Sequence, residues 1–158
     1  MPMERSMPLK TAQIGRCGEL LVQYFLLTRG IESAPMSTDA GIDLVAYSPK
    51  LNVPTTIQVK TNLKPKPAGG KGKLSLDWWL PHDSPAQLMT LVDLSLQRIW
   101  IFKISEIAGV AQQKSKSQYH LFMYTDPTVR PQKTDRLAHL HEFGRYLLEN
   151  RAHELFGI

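Results

Sequence analysis

The sequence predicts an α/β fold in which β-strands are framed by an N-terminal and a C-terminal helix, and three observations carry that prediction. From Thr11 onward Ile14, Leu21, Val22, Phe25 and Leu26 recur at helical spacing. From Ile31 to Thr61 short runs rich in β-branched and apolar residues alternate with turn residues. Near the end, Leu137, Leu140, Leu147, Leu148 and Leu155 return to helical spacing.

Residues 1 to 10 hold three Met and two Pro without any period, which predicts a mobile tail ahead of one domain over residues 11 to 158. Thr11 is the expected helix cap, and Gly30 the stop after about five turns. Three strands follow, Ile31 to Met36, Ile42 to Tyr47 and Thr55 to Thr61, separated by Ser37-Thr-Asp-Ala-Gly41 and Ser48-Pro-Lys-Leu-Asn52. Leu74 to Leu80 alternates and reads as a strand with Trp78 and Trp79 on opposite faces, one in the core and the other free to meet a base or a second subunit. Gln87 to Leu94 and Arg98 to Ile104 are apolar enough to be central strands. Ser105 should cap a short helix, Gln118 to Tyr124 gives a last strand, and a terminal helix begins near Thr134. Arg136, His139, Arg145 and Arg151 read as its solvated face.

A chain of 158 residues with 42% hydrophobic content suits one domain around a single core. One cysteine, Cys17, excludes an internal disulfide and reads as a small buried residue. No apolar run approaches the roughly 20 residues that span a membrane. The N-terminus lacks the apolar segment of a secretory signal, so a cytoplasmic location is expected. His139 and His141 are two apart and His141-Glu142 lacks the second His of a zinc-protease motif, which argues against zinc. The formal net charge of +5 and pI near 9.4 favour a polyanionic partner through phosphate contacts and counterion release.

The informative residues lie in Gly15-Arg-Cys-Gly18-Glu19 on the first helix, Gly41-Ile-Asp43 at the second strand, and Gln58-Val-Lys60-Thr on the third. Gln58 and Lys60 share one strand face while Ile57 and Val59 take the other. Taken singly, Asp43 would serve to bond turn amides, Lys60 to end a strand in solvent, and Glu19 to pair with Lys60 or Arg16. Their joint order resembles the PD-(D/E)XK nuclease superfamily, especially small members with an extra glutamate on the first helix, such as archaeal Holliday-junction resolvases. Asp43 matches the motif aspartate and Gln58-Val59-Lys60 the (D/E)-x-K tripeptide. Gly41-Ile42 replaces the motif proline, and Gln58 replaces a carboxylate, a variation that also occurs in a group I intron homing endonuclease of this fold.

The resemblance implies a restriction-endonuclease-like core, a central mixed β-sheet flanked by the N-terminal and C-terminal helices. It implies a metal-dependent endonuclease that hydrolyses DNA phosphodiester bonds with Mg²⁺, for which Mn²⁺ would substitute. Asp43 would be the central ligand, Glu19 a second carboxylate, Gln58 a neutral carbonyl ligand and Val59 a backbone-carbonyl ligand, with Lys60 orienting or activating water. Gln23, one turn from Glu19, would support it. Gly15 and Gly18, each costing a helix roughly 1 kcal/mol against Ala, would allow close approach. Lys64, Lys66, Lys71 and Lys73, in a Pro- and Gly-rich stretch expected to be a mobile loop, would contact DNA phosphates. Cutting two strands from one small domain implies a homodimer. The alternatives are a non-catalytic nucleic-acid-binding protein on the same scaffold and an interaction subunit whose basic face meets an acidic protein.

Overall fold

The computed structural model describes residues 7–132 and 135–158, so most of the expected tail, residues 1–6, lies outside the described residues. Helix α1 (Thr11–Leu27) buries Val22 and Leu26 completely. Its cap is Lys10, one residue earlier than expected, because the Lys10 N–H donates to the Gln13 side-chain oxygen at 2.8 Å. Gly30 turns the chain out of the helix at φ 79°, a conformation that favours glycine.

The meander follows as β1 (Glu32–Pro35), β2 (Leu44–Tyr47) and β3 (Pro54–Asn62), paired antiparallel. β3 then runs parallel to β6 (Leu88–Asp93), which pairs antiparallel with β7 (Arg98–Lys103). The result is a mixed five-stranded sheet of order β1-β2-β3-β6-β7, with β3 in the middle. β6 is internal as expected, but β7 is an edge. An unpaired edge invites association, and here the chain covers it: Trp100 bridges to Leu147, and the Arg151 guanidinium donates to the Ile101 carbonyl at 3.1 Å.

A second, four-stranded antiparallel sheet has the order β4-β5-β9-β8, built from β4 (Lys66–Pro67), β5 (Leu74–Pro81), β9 (Gln118–Tyr124) and β8 (Gln113–Lys114). The stretch expected to be a plain loop therefore contains a strand. Lys66 pairs with Ser75, the Ala68 N–H donates to the Lys73 carbonyl, and Gly69 and Gly70 supply the positive φ that the intervening turn needs. Asn62, at the end of β3, ties the sheets together by donating to the Asp77 carbonyl at 2.6 Å.

The single core expected from composition is two hydrophobic clusters on opposite faces of β6 and β7. Leu88, Val92, Ile99 and Ile101 face α1 together with Leu148, Ala152 and Phe156 of helix α3 (Leu148–Phe156). Met89, Leu91, Trp100 and Phe102 face the second sheet through Leu76, Trp78, Leu121 and Met123. Strict alternation on apolar strands feeds both sides at once. The two framing helices thus share one face of the central sheet.

The C-terminal segment departs most from expectation. The expected start at Thr134 lies outside the described residues, and the chain from 135 to 139 is not helical. A 3-10 segment (Leu140–Tyr146) follows, and extended Leu147 (φ −56°, ψ 139°) separates it from α3. Of the leucines at helical spacing, Leu140 lies in the 3-10 segment and Leu148 and Leu155 in α3, while Leu137 and Leu147 are outside both. Arg151 is buried rather than solvated, paired with Glu106 at 2.8 Å. In helix α2 (Ile104–Val110) Lys103 holds the cap position expected for Ser105, and the Glu106 carboxylate accepts its N–H at 2.9 Å. Cys17 is half-buried on α1, not enclosed.

Gly18 is where α1 meets β3. A Cβ there would overlap the Thr61 side chain, whereas one at Gly15 would meet nothing within 4 Å. Gly18→Ala should lower the unfolding free energy by about 1–3 kcal/mol, the usual cost of overpacking. Gly15→Ala should raise it by up to about 1 kcal/mol through helix propensity. Chemical denaturation of the two variants checks both signs; a stabilised Gly18→Ala would show that the helix does not need this approach.

Candidate active site

The end of the β2–β3 ladder creates the site. Leu44 pairs with Ile57, and the Asp43 N–H still donates to the Ile57 carbonyl at 2.9 Å, after which β2 has no further residue to offer. The Asp43 carboxylate takes the next rung: its Oδ2 accepts the Val59 N–H at 2.7 Å. A residue in an extended strand directs its N–H and C=O to the same side, so the Val59 carbonyl also faces the vacated end of β2. The turn role and the site role of Asp43 are therefore one arrangement, with Oδ1 left for another partner.

Gly18 lets α1 lie on β3, and the next residue, Glu19, enters the same space. A cavity of about 600 Å³ is lined by Glu19, Asp43, Gln58, Val59 and Lys60, together with Gly15, Arg16, Asp39, Asn62 and Lys66. A smaller cavity of about 180 Å³, toward Met36 and Ser37, shares Glu19, Asp39 and Asp43, so these three carboxylates form the wall between the two.

The electrostatics follow from that crowding. Burial, then the Asp43 charge and the Asp39 charge, push the Glu19 carboxyl above its ordinary range, while Arg16 pulls it back in part. Burial also raises Asp43, with Asp39 adding to the shift; the Val59 N–H and the Lys60 ammonium oppose it. Two carboxyls that both hold protons more tightly form a place where a cation would relieve strain.

Gln58 is buried on the strand face that Lys60 shares, and the Ser84 hydroxyl donates to its Oε1 at 2.7 Å. Its carboxamide is therefore held in one orientation by the turn between β5 and β6. Gln23 does not act on Glu19: its amide nitrogen donates to the Ser33 carbonyl at 3.2 Å and binds α1 to β1. Gly15 faces the cavity, and Gly18 serves helix packing. Of the four lysines, Lys66 lines the cavity, while Lys64, Lys71 and Lys73 are exposed outside it.

Sequence reasoning missed Asp39 and Ser84. Both sit in segments whose composition marks them as turns, and only the third dimension brings those turns beside Asp43 and Gln58. Arg16 was recognisable as a neighbour of Glu19.

The donor set suits a hard divalent cation. Carboxylate, carboxamide and backbone carbonyl are all oxygen donors, and Mg²⁺ ordinarily takes one or two carboxylates and keeps several waters. Among the described residues no three His, Cys, Asp or Glu side chains converge on one point.

No protein-family model matches the chain, and no curated protein matches it in sequence. In structure it is similar to a bacterial homing endonuclease, I-Ssp6803I, with a TM-score of 0.60 and 15% identity over 94% of this chain and 92% of that one. The mixed α/β architecture with its central mixed sheet and flanking helices is therefore one that a nuclease also has.

The raised carboxyl values have a stability consequence with a definite sign. A group whose folded-state pKa is raised contributes stability that is complete below its unfolded value and is lost as pH rises through the folded value. In Glu19→Gln that loss is gone. With divalent ions chelated, the Tm of Glu19→Gln relative to the unaltered protein should climb as pH rises from the ordinary glutamate range through the raised folded-state value. A relative Tm that does not change with pH would mean that neither burial nor the neighbouring Asp43 charge raises the Glu19 carboxyl in the folded protein.

Proposed function

We propose that the protein is a metal-dependent endonuclease that hydrolyses DNA phosphodiester bonds, a member of the PD-(D/E)XK superfamily with a glutamine in the tripeptide motif. The observation that carries this reading is the convergence of Glu19, from α1, with Asp43, Gln58 and Lys60, from the meander, on one cavity. The nuclease neighbour and the basic charge of the chain support it.

Asp43, Glu19, the Gln58 carboxamide and the Val59 carbonyl would hold Mg²⁺, which when bound supplies charge for the phosphate oxygens and acidifies water. The chain's own residues do the rest. Lys60 places a compact ammonium beside the Asp43 carboxylate, where it orients water and offsets phosphate charge. The Val59 N–H fixes the Asp43 carboxylate, and Ser84 fixes Gln58, so the donors are arranged before substrate arrives. Lys66, at the cavity rim, and the exposed Lys64, Lys71 and Lys73 meet the DNA backbone. Two strands would be cut by two copies, each supplying one site.

Supercoiled-plasmid nicking that requires Mg²⁺ or Mn²⁺ tests the assignment. Lys60→Ala should abolish nicking while keeping DNA affinity within a few-fold, since the exposed lysines carry most phosphate contacts. Parallel loss of binding and cleavage would remove Lys60 from the chemistry.

A second reading, a nucleic-acid-binding protein without catalysis, draws on one observation: the Gln58 oxygen already accepts the Ser84 hydroxyl. The Gln58→Glu variant separates the two. In a working site it adds a third carboxylate and tightens Mg²⁺ binding, measured by calorimetry, without a required gain in nicking. In a decayed site the unaltered protein never nicks at any Mg²⁺ or Mn²⁺ concentration, and Gln58→Glu is the change that restores cleavage.

A further inference from the structure

The second sheet has one face in the core and one outside it. Leu76, Trp78 and Leu80 of β5 and Leu121 and Met123 of β9 are buried against the first sheet. Alternation therefore puts Asp77 and Trp79, with their partners Phe122 and His120, on the outer face. Those side chains form a row. The Trp79 ring lies parallel to the His120 ring, 4.1 Å between centroids and 7° between planes. His120 is 5.4 Å from Phe122, and Phe122 is 5.3 Å from Tyr124.

Trp79 is the member that needs a reason. It is 48% exposed, whereas Trp78 and Trp100 are 4% and 1% exposed. One face of its ring rests on His120, so the exposed surface includes the other face. A large aromatic plane left open costs solubility and does nothing for a core that Trp78 already fills.

The row is bounded by cations and leads to the cavity. Lys66 of β4 pairs with Ser75, which pairs with Tyr124, so Lys66 stands at the same edge of the sheet as the Tyr124 end of the row and also lines the cavity that holds Glu19, Asp43 and Lys60. At the far edge, the turn between β8 and β9 exposes Lys116. The carboxylate on this face, Asp77, lies 3.6 Å from His120 Nε2. Positive edges flanking an aromatic row suit a polyanion that carries flat rings. A second copy of the chain would instead set this basic rim against itself.

We infer that the outer face of the four-stranded sheet binds an unpaired stretch of nucleic acid strand, stacking a base on the open face of Trp79 and leading the backbone past Lys66 to the catalytic cavity. Duplex does not suit this surface, because its base faces are already stacked, whereas an unpaired base offers its π-face to any aromatic ring. The inference deepens the nuclease reading and rests on it for the path of the strand: the substrate would carry a single-stranded segment beside the bond that is cut.

Binding is measured with divalent ions chelated, using a labelled oligothymidine of about 16 nucleotides and a blunt duplex of the same length. Trp79→Leu should weaken single-strand binding about 5- to 100-fold, the loss of one base stack, and leave duplex binding within about two-fold. Trp79→Phe, which keeps a ring, should recover most of the affinity. Should Trp79→Leu fail to fold, oligothymidine quenching of the unaltered protein's tryptophan fluorescence reads the same contact, since Trp79 is the exposed indole; no quenching overturns the inference. So does an unchanged single-strand affinity in Trp79→Leu, an equal loss for both DNAs, or a change from dimer to monomer by sedimentation with DNA binding intact, which would make this a protein interface. Plasmid nicking on the same preparations keeps the two readings apart. Nicking with Trp79-independent binding removes the stacking surface alone, and Trp79-dependent binding without nicking removes the nuclease alone.

Discussion

The approach of α1 to β3 at Gly18 is the contact on which the site depends. Without a side chain at this position the helix backbone settles against Thr61, and the following residue, Glu19, is delivered to the end of the β2–β3 ladder. Any larger residue would hold the helix off and carry Glu19 away from Asp43. The helix-propensity cost of this glycine, roughly 1 kcal/mol, is offset by the burial of Val22 and Leu26 that the close packing permits.

A second constraint acts at the ladder's end. β2 stops while β3 continues, which would leave the Val59 N–H without a strand partner, and the Asp43 side chain takes that bond. The same bond fixes the carboxylate. One rung thus closes the ladder and positions the carboxylate together, and it explains why the candidate site sits where the meander runs out and the parallel β3–β6 pairing takes over. The turn before β6 adds Ser84 to hold Gln58, while Pro85 lies where a side chain at Gly41 would be, so the same turn braces the segment leading to Asp43.

Electrostatics and packing divide the molecule. Beneath the first sheet the two helices share an apolar cluster that includes the Val59 side chain. Toward the cavity, burial and mutual repulsion raise two carboxyls, and Arg16, Lys60 and Lys66 supply positive charge around them. The ion pair of buried Arg151 with half-buried Glu106 lies away from this region and closes the β7 edge and the α2 start.

The sequence by itself determined the helix α1, the meander, the boundaries of β5, β6, β7 and β9 to within about a residue or two, and the α/β class, because periods of 3.6 and 2 and turn residues are local properties. It also pointed to Glu19, Asp43, Gln58 and Lys60 as a set, through their order and spacing, and the structure places all four on one cavity. Only the tertiary structure decided the rest. The pairing of Lys66 with Ser75 made a strand of a stretch whose composition reads as loop. Apolar alternation on β6 and β7 served two clusters because a second sheet covered the face that composition could not distinguish. The terminal leucines, which fit one helix, were divided at Leu147 to cover the β7 edge. Asp39 and Ser84 joined the site from turns, and Gln23 left it for the Ser33 carbonyl. Each of these depends on contacts between segments far apart in the chain, and no local period or propensity encodes which distant partner a residue will meet.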